Sequence, residues 1–208
     1  MSVLRGRVTK AQRRALDELL DKYQLDAPVE AGAAPLGVEI GFGMGDALLD
    51  WAQARPDWRI VGIEIYPSGV GAALKRIEEL ELDNVRLAFA AAEEVLETLI
   101  PAGAVQEFRV LFPDPWPKKR HHKRRLLQPG FVSELANRLV AGGSLRVATD
   151  WAPYAEWALE ILRGEPQLKN TAEGYSQDSD WRRTTKFEQR GLRLGHDIYD
   201  LHFTRVES

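Results

Sequence analysis

Residues 113–125 combine side chains that could hold both a planar ring and phosphate groups. They read Pro-Asp-Pro-Trp-Pro-Lys-Lys-Arg-His-His-Lys-Arg-Arg. The first part places the carboxylate of Asp114 and the ring of Trp116 among three prolines, which restrict the backbone. The second part holds six Lys or Arg, two His and no acid, a composition that suits contact with phosphates. The run therefore predicts an enzyme that works on a base within a nucleic acid.

A second group of candidate residues surrounds a glycine-rich turn. Glycines alternate at Gly41, Gly43 and Gly45, which lets the backbone turn sharply and approach a ligand closely. Glu64 ends the next strand-like segment, where an open α/β sheet places an acid that binds ribose hydroxyls. The combination predicts a site for an adenosine-type cofactor, and the alternative is a tight turn without a ligand.

The spacing in this turn distinguishes between cofactors. A dinucleotide fingerprint would have its third glycine at the position of Asp46, and an aspartate disfavours a pyrophosphate at a helix N-terminus. S-adenosylmethionine carries no phosphate, and its sulfonium and ammonium groups are positive. An acidic rim that contains Glu39 suits it better, so we expect S-adenosylmethionine and rank a nicotinamide-dependent oxidoreductase as a distant alternative.

Four carboxylates lie at or just beyond the ends of predicted strands: Glu39, Glu64, Asp114 and Asp150. The carboxyl ends of parallel strands share one edge of a sheet, so we expect the four to converge on one crevice. The alternative is that each caps a helix or lies in a solvated loop. Capping is a serious competitor for Asp150, which directly precedes a predicted helix.

Alternating strand-like and helix-like segments must position these residues. The predicted strands cover residues 36–40, 59–65, 85–88, 107–112, 144–148 and 198–204. The predicted helices cover residues 11–23, 46–55, 69–82, 92–100, 131–140 and 151–163, and Thr9 could cap the first of them. The alternation predicts an α/β domain with a mostly parallel, doubly wound sheet. Residues 164–191 are expected to form a mobile or inserted loop.

Composition limits the class of protein. The chain has 208 residues, 44% of them hydrophobic, and no cysteine, so disulfides and thiolate metal sites are excluded. The four histidines show no metal-ligand spacing, and no apolar run is long enough to span a bilayer. We therefore expect a cytoplasmic protein without a metal or a membrane partner.

Positive charge is concentrated in two segments. The net charge is −3, but six Lys or Arg fall within residues 118–125, so the other 200 residues carry −9. Residues 1–14 contain five further Lys or Arg and no acid. An acidic body with two basic segments predicts local binding to a polyanion, although each segment could also be a solvated surface.

At these residues the chain resembles the bacterial tRNA (guanine-N7-)-methyltransferase family. The resemblance runs from about Arg5 to the C-terminus, and its most specific element is residues 112–125. The other matching segments are residues 39–45, 62–65, 148–150 and 185–188. It implies a class I methyltransferase: an α/β, doubly wound, mostly parallel seven-stranded sheet with helices on both faces. A basic N-terminal arm and helix would occupy residues 1–30, and a single methyltransferase domain residues 31–208.

The resemblance also implies an activity and the residues that carry it. S-adenosylmethionine would methylate N7 of a guanine at position 46, in the variable loop of tRNA. Asp114 would be the catalytic carboxylate. The cofactor would contact Glu39, Gly41, Gly43, Gly45, Glu64, Ala91 and Asp114. The substrate would contact Lys118, Asp150, Thr185, Lys186, Phe187 and Glu188. RNA would contact Arg120, His121, His122, Lys123, Arg124 and Arg125.

One position departs from the family pattern. Family members place an aspartate near the cofactor adenine where this chain has Ala91. One missing hydrogen bond costs about 0.5–1.5 kcal/mol, which would weaken cofactor binding without abolishing function. Two other functions stay open: methylation of an adenine amino group in RNA, and RNA binding by a homologue that has lost catalysis. A monomer and a homodimer are both compatible with the sequence.

Overall fold

The computed structural model describes residues 8–30, 32, 34–178, 181 and 197–207. Within them the strands are β1 Leu36–Ile40, β2 Arg59–Ile63, β3 Val85–Ala88, β4 Val105–Leu111, β5 Leu139–Thr149, β6 Leu168–Asn170 and β7 Tyr199–Arg205. The helices are α1 Lys10–Tyr23, α2 Asp46–Ala54, α3 Pro67–Glu79, α4 Ala92–Thr98, α5 Pro129–Arg138 and α6 Ala152–Arg163. A short 3₁₀ helix, Lys119–Arg124, carries most of the basic block.

The strands form one sheet in the order β3-β2-β1-β4-β5-β7-β6. β1 pairs in parallel with β2 and β4, β2 with β3, and β4 with β5, whereas β7 runs antiparallel to both β5 and β6. From the central strand β1 the chain first runs outward to β3. It then returns to β4 and runs outward to the other edge of the sheet. The predicted doubly wound, mostly parallel seven-stranded sheet is confirmed.

Helices cover both faces of the sheet, as predicted. On one face α4, α5 and α6 bury apolar side chains such as Leu96, Leu135 and Leu162. On the other face α1, α2 and α3 do the same with side chains such as Leu48 and Leu74. Strands β1 and β2, covered on both faces, are correspondingly rich in Val, Ile and Leu.

Most element boundaries differ from the sequence-based prediction by one to three residues, and two differences are larger. The helix predicted over residues 131–140 begins at Pro129 and ends at Arg138, because Leu139 pairs with Val105 and opens β5. β5 is therefore longer than predicted. The segment predicted as a loop over residues 164–191 contains β6, which was missed because three residues are too few to show a period.

Helix α1 packs against the body of the protein. Thr9 caps it as predicted, in a reciprocal capping box with Gln12. A Cβ atom on Gly71 of α3 would lie 2.6 Å from the backbone oxygen of Gln12, so the close approach of α1 to α3 depends on glycine. None of the helices in the described ranges is both long and apolar enough to cross a membrane.

Candidate active site

The glycine-rich turn links β1 to α2 in a conformation that favours glycine. Gly41, Gly43 and Gly45 have φ values of 73°, 57° and 82°, all in the left-handed region. A Cβ atom on Gly41 or Gly43 would meet no atom of the described protein within 4 Å. The backbone therefore borders open space on the side where a ligand would lie.

Helix α3 supports this turn through Gly69, a residue that the sequence analysis did not single out. A Cβ atom on Gly69 would lie 2.2 Å from the backbone oxygen of Gly43, so another residue would displace the turn. Glycine inside a predicted helix was the signal that could have revealed it, because such a glycine often marks a close backbone approach.

Glu64 holds the same turn from the end of β2. Its carboxylate accepts hydrogen bonds from the backbone N–H groups of Gly43 (2.8 Å), Ile65 (2.7 Å) and Tyr66 (3.0 Å). Burial raises the pKa of Glu64, these three bonds oppose that rise, and the charge of Asp114 adds to it. The turn that carries Asp114 follows β4, the parallel neighbour of β1, so it lies at the same sheet edge as the glycine-rich turn.

Glu39 on β1 is the most deeply buried carboxylate at this edge. Its exposed fraction is 2%, and its Oε2 atom finds no hydrogen-bond partner within the described part of the chain. Burial raises the pKa of Glu39 to about 8, and the positive charge of Arg109 opposes the rise. A buried carboxylate oxygen without a partner fits a cationic ligand, as the ammonium and sulfonium groups of S-adenosylmethionine provide.

Asp46 is paired within the protein. It lies in the first turn of α2, and its Oδ1 atom is 2.6 Å from an Nη atom of Arg76 on α3. The pairing partly neutralises Asp46, so its charge disfavours a pyrophosphate less than that of an unpaired aspartate. The preference of this site for a cationic cofactor therefore comes more from Glu39 than from Asp46.

Asp114 is exposed on a constrained turn that follows β4. The residues that bracket the Pro-Asp-Pro segment, Phe112 and Trp116, have φ values of 49° and 43°. Non-glycine residues in this region are strained, and such strain persists only where surrounding contacts enforce it. The edge of His121 faces the Trp116 ring at 5.7 Å, and Arg124 lies 5.1 Å from the ring centre. The 3₁₀ helix therefore packs back onto the turn.

Arg125 differs from the other basic residues predicted to contact RNA. Only 3% of it is exposed, its Nε donates a hydrogen bond to the backbone oxygen of Pro115 (3.0 Å), and its guanidinium lies over the ring of Trp157 on α6 (4.8 Å). This burial argues against direct RNA contact. Its contacts with Pro115 and Trp157 instead fix the turn that carries Asp114.

The rest of the basic block is oriented toward solvent. Lys118, Arg120, Lys123 and Arg124 are exposed, whereas His121 and His122 are half-buried. Partial burial lowers the pKa of His121, and the neighbouring cations lower it further. Its ring therefore favours the neutral form at pH 7, and the charge available for phosphates comes from the Lys and Arg side chains.

The remaining predicted site residues fall into three situations. Asp150 follows β5 at the same sheet edge, and it is not the cap of α6, because that position belongs to Trp151. Ala91 is the N-cap of α4 and is exposed, and its methyl side chain offers no hydrogen bond. Thr185, Lys186, Phe187 and Glu188 lie outside the described residues.

Known proteins share this sequence pattern. Residues 33–201 match a family model described as a putative methyltransferase. A tRNA (guanine-N(7)-)-methyltransferase of Acidovorax sp. (strain JS42) is 51% identical over 208 residues, covering 96% of this chain and 83% of that protein. The protein of the same name from Nitrosospira multiformis is 48% identical, covering 97% of this chain and 92% of its own length.

Solved structures share the fold. The 16S rRNA methyltransferase KamB superimposes with a TM-score of 0.60 at 18% identity, over 98% of each chain. A 16S rRNA (adenine(1408)-N(1))-methyltransferase from Catenulisporales acidiphilia, solved with its cosubstrate S-adenosylmethionine, gives a TM-score of 0.58 at 18% identity, over 85% of this chain and 88% of its own. These likenesses are evidence for the fold alone.

The relatives and the fold agree with the class of enzyme that the sequence predicts. The family confirms the prediction of a methyltransferase and, with it, S-adenosylmethionine as the cofactor. At about half identity over nearly its whole length, the chain belongs to the bacterial tRNA (guanine-N(7)-)-methyltransferase family.

Proposed function

We propose that the protein transfers a methyl group from S-adenosylmethionine to N7 of a guanine in tRNA, at position 46 of the variable loop, in the bacterial cytoplasm. The observation that carries the proposal is that β1 and β4 are parallel neighbours, so the turns that follow them lie at the same sheet edge. One is the glycine-rich turn, and the other is a strained acidic turn that continues into a basic helix. The choice of tRNA as the substrate and of guanine N7 as the methylated atom follows from the names of the relatives.

On the donor side, three groups of this chain would hold the cofactor. The open face of Gly41 and Gly43 would receive it, Glu64 would accept from its ribose hydroxyls with lone pairs not used by the turn, and Oε2 of Glu39 would accept from its cationic end. When bound, the cofactor supplies an electrophilic methyl group whose transfer leaves a neutral thioether. Ala91 offers no hydrogen bond to the adenine, so contacts with the ribose and methionine parts matter more.

On the acceptor side, Asp114 has no proton to remove. Guanine N7 carries an in-plane lone pair and no hydrogen, so the new N–C bond forms without a general base. The methylated ring becomes cationic, and the carboxylate of Asp114 can stabilise that charge or accept hydrogen bonds from guanine N1–H and the amino group. Orientation by the constrained turn would supply much of the acceleration.

The basic helix would bring the tRNA to this turn. We assign phosphate contacts to Arg120, Lys123 and Arg124, with His121 and His122 beside them, and we exclude Arg125 because it is buried. Lys118 and Asp150 remain proposed substrate contacts, because Asp150 directly follows β5 and Lys118 is the N-cap of the basic 3₁₀ helix after the acidic turn. The residues 185–188 keep the same proposed role.

The decisive experiment is methyl transfer from labelled S-adenosylmethionine to unmodified tRNA, followed by nucleoside analysis. We expect 7-methylguanosine, and the labelled tRNA should be cleaved at position 46 by borohydride and aniline. The variant Asp114→Asn keeps the shape of the side chain and removes its charge, so it should lose single-turnover transfer even when the cofactor is saturating.

Two results would replace the proposal with its alternatives. Label in methyladenosine would identify an adenine methyltransferase. Tight tRNA binding without any binding of S-adenosylmethionine would identify an RNA-binding homologue. Unchanged transfer in Asp114→Asn would remove the charge of Asp114 from the mechanism while leaving the activity itself in place.

A further inference from the structure

A row of ionisable side chains crosses the sheet beneath the proposed cofactor site. Glu39 on β1 is in register with Arg109 on β4, Arg109 with Arg146 on β5, and Arg146 with His202 on β7. Residues in register on neighbouring strands point to the same face, so the four side chains form one layer. Such a layer is unusual in a sheet interior, where charges are expensive to bury.

Arg109 is the fixed centre of this layer. Its side chain is 7% exposed, its Nε lies 2.6 Å from Oε1 of Glu107, and its guanidinium stacks 3.7 Å from the ring centre of Trp51 on α2. Arg146 approaches the second oxygen of Glu107 at 3.6 Å. Arg109 therefore cannot move toward solvent, and its positive charge stays beside Glu39.

We infer that Arg109 is a positioning residue for the cofactor site: its positive charge, in register with Glu39 on the neighbouring strand, favours the ionised form of the buried Glu39 carboxyl, which can then accept the cationic end of S-adenosylmethionine. The inference rests on the assignment of the cofactor to Glu39 proposed above. Arg109 touches neither substrate in this scheme and acts only through Glu39.

The other groups around Glu39 leave Arg109 as its main source of positive charge. Gly62, its partner on β2, has no side chain, and α2 contributes the apolar ring of Trp51. Burial opposes the charged form of Glu39, and Arg109 is the charge that favours it. The charged groups of the surrounding elements are Glu64 at the end of β2, Asp46 and Asp50 on α2, Arg76 on α3, Glu107 on β4, Arg146 on β5, His202 on β7 and Asp178.

The test is the dissociation constant of S-adenosylmethionine, measured by calorimetry without tRNA for wild type and Arg109→Gln between pH 6.5 and 10. Loss of a neighbouring charge shifts a pKa by about one unit or more, so Arg109→Gln should bind about tenfold more weakly at pH 7. The ratio of the two constants should fall toward one at high pH, where Glu39 is charged in both proteins. The titration of the ligand itself cancels in this ratio.

Two matched variants separate charge from shape. Arg146→Gln removes a buried guanidinium one strand further from Glu39, and its ratio to wild type should stay close to one at every pH. Arg109→Lys keeps the positive charge and should bind nearly as wild type, which also gives a decision if Arg109→Gln does not fold. A loss of affinity in Arg109→Lys that does not depend on pH would overturn the inference.

A double-mutant cycle distinguishes the role of Arg109 from the proposed role of Glu39 in binding the cofactor. Glu39→Gln alone should lose cofactor binding strongly, and normal binding would refute the role of Glu39. In the Glu39→Gln background, Arg109→Gln should have no further effect on the residual affinity. A further loss there, or a pH-independent ratio in the single variant, would show that Arg109 supports the fold and not the charge of Glu39.

Discussion

The carboxyl group of Glu39 is kept at 2% exposure, where burial raises its pKa to about 8 against the opposing charge of Arg109. The unfolded chain releases this proton near the ordinary value of 4.5, so between these two pH values the folded protein binds one proton more than the unfolded chain. The free energy of unfolding must therefore fall as pH rises through this window. Burial of Glu39 thus lowers the free energy of unfolding of the ligand-free protein most at high pH, where its carboxylate is charged and can bind a cation.

Because buried Glu39 keeps a proton that the unfolded chain releases, Glu39→Gln should stabilise the ligand-free protein increasingly as pH rises. Glutamine has no proton to release, so the free energy of unfolding of the variant should gain on wild type by about 1 kcal/mol per pH unit between pH 5 and 8. Chemical denaturation at pH 5.5, 6.5 and 7.5 measures the difference. Glu97→Gln, an exposed position on α4, serves as the control and should show no such trend. A constant difference for Glu39→Gln would contradict the burial argument.

Single residues show what the sequence could and could not predict about the site. The glycines and strand-end acids were found because strand-to-turn patterns have a fixed geometry in α/β sheets. Arg109 was missed because its role depends on the register between β1 and β4, which spans about seventy residues of sequence. Arg125 was assigned to RNA because composition alone does not distinguish a buried arginine from its exposed neighbours.

At the level of elements, the turn and the 3₁₀ helix form one unit tied down by Arg125. Its hydrogen bond to Pro115 connects the last residue of the basic block to the middle of the acidic turn, and α6 provides the stacking surface. Fixing the turn in this way orients Asp114, and a small misplacement of a reacting group is costly.

We therefore predict different defects for Arg125→Met and Lys123→Met, although each variant removes one positive charge. Arg125→Met should lower the single-turnover rate of transfer by about ten- to hundredfold while leaving the dissociation constant of S-adenosylmethionine unchanged. Lys123→Met, on the exposed side of the same helix, should instead lower the affinity for tRNA. Rapid-quench assays and filter binding separate the two effects. If Arg125→Met lost only tRNA affinity, Arg125 would have to reach the RNA.

Elements were predicted well where burial creates a clear period and less well at their ends. β1 and β3 match the prediction at both ends, since each is a short buried run bounded by turn residues. The end of α5 was misplaced because Leu139 continues the helical spacing, yet its pairing with Val105 draws it into β5. That pairing is tertiary and leaves no trace in the local sequence.

At the level of the whole molecule, the acidic body and the basic helix must act on tRNA in opposite directions. The body repels a polyanion, so binding depends on the exposed cations of residues 118–124, which number five Lys and Arg. Binding that depends on phosphate contacts releases counterions and weakens with salt.

With phosphate contacts from Arg120, Lys123 and Arg124, the affinity for tRNA should fall with a slope of about −2 to −3 in a plot of log K against log salt concentration. Lys123→Gln should reduce the magnitude of that slope by about one. Titrations between 50 and 300 mM salt, roughly the range in which such contacts are measured, provide the data. Binding that does not change with salt would mean that the basic helix does not contact phosphates.

The order of the site residues along the chain has a consequence for how such enzymes can be recombined. Apart from Asp114, which is assigned to both, residues assigned to the methyl donor end at Ala91 and those assigned to the acceptor begin at Lys118. Arg109 extends the donor half across most of β4. A chimera that exchanges acceptor specificity between two relatives should therefore be joined after Arg109 and before Phe112. A junction placed earlier, in the loop before β4, would separate Glu39 from the charge with which it is matched.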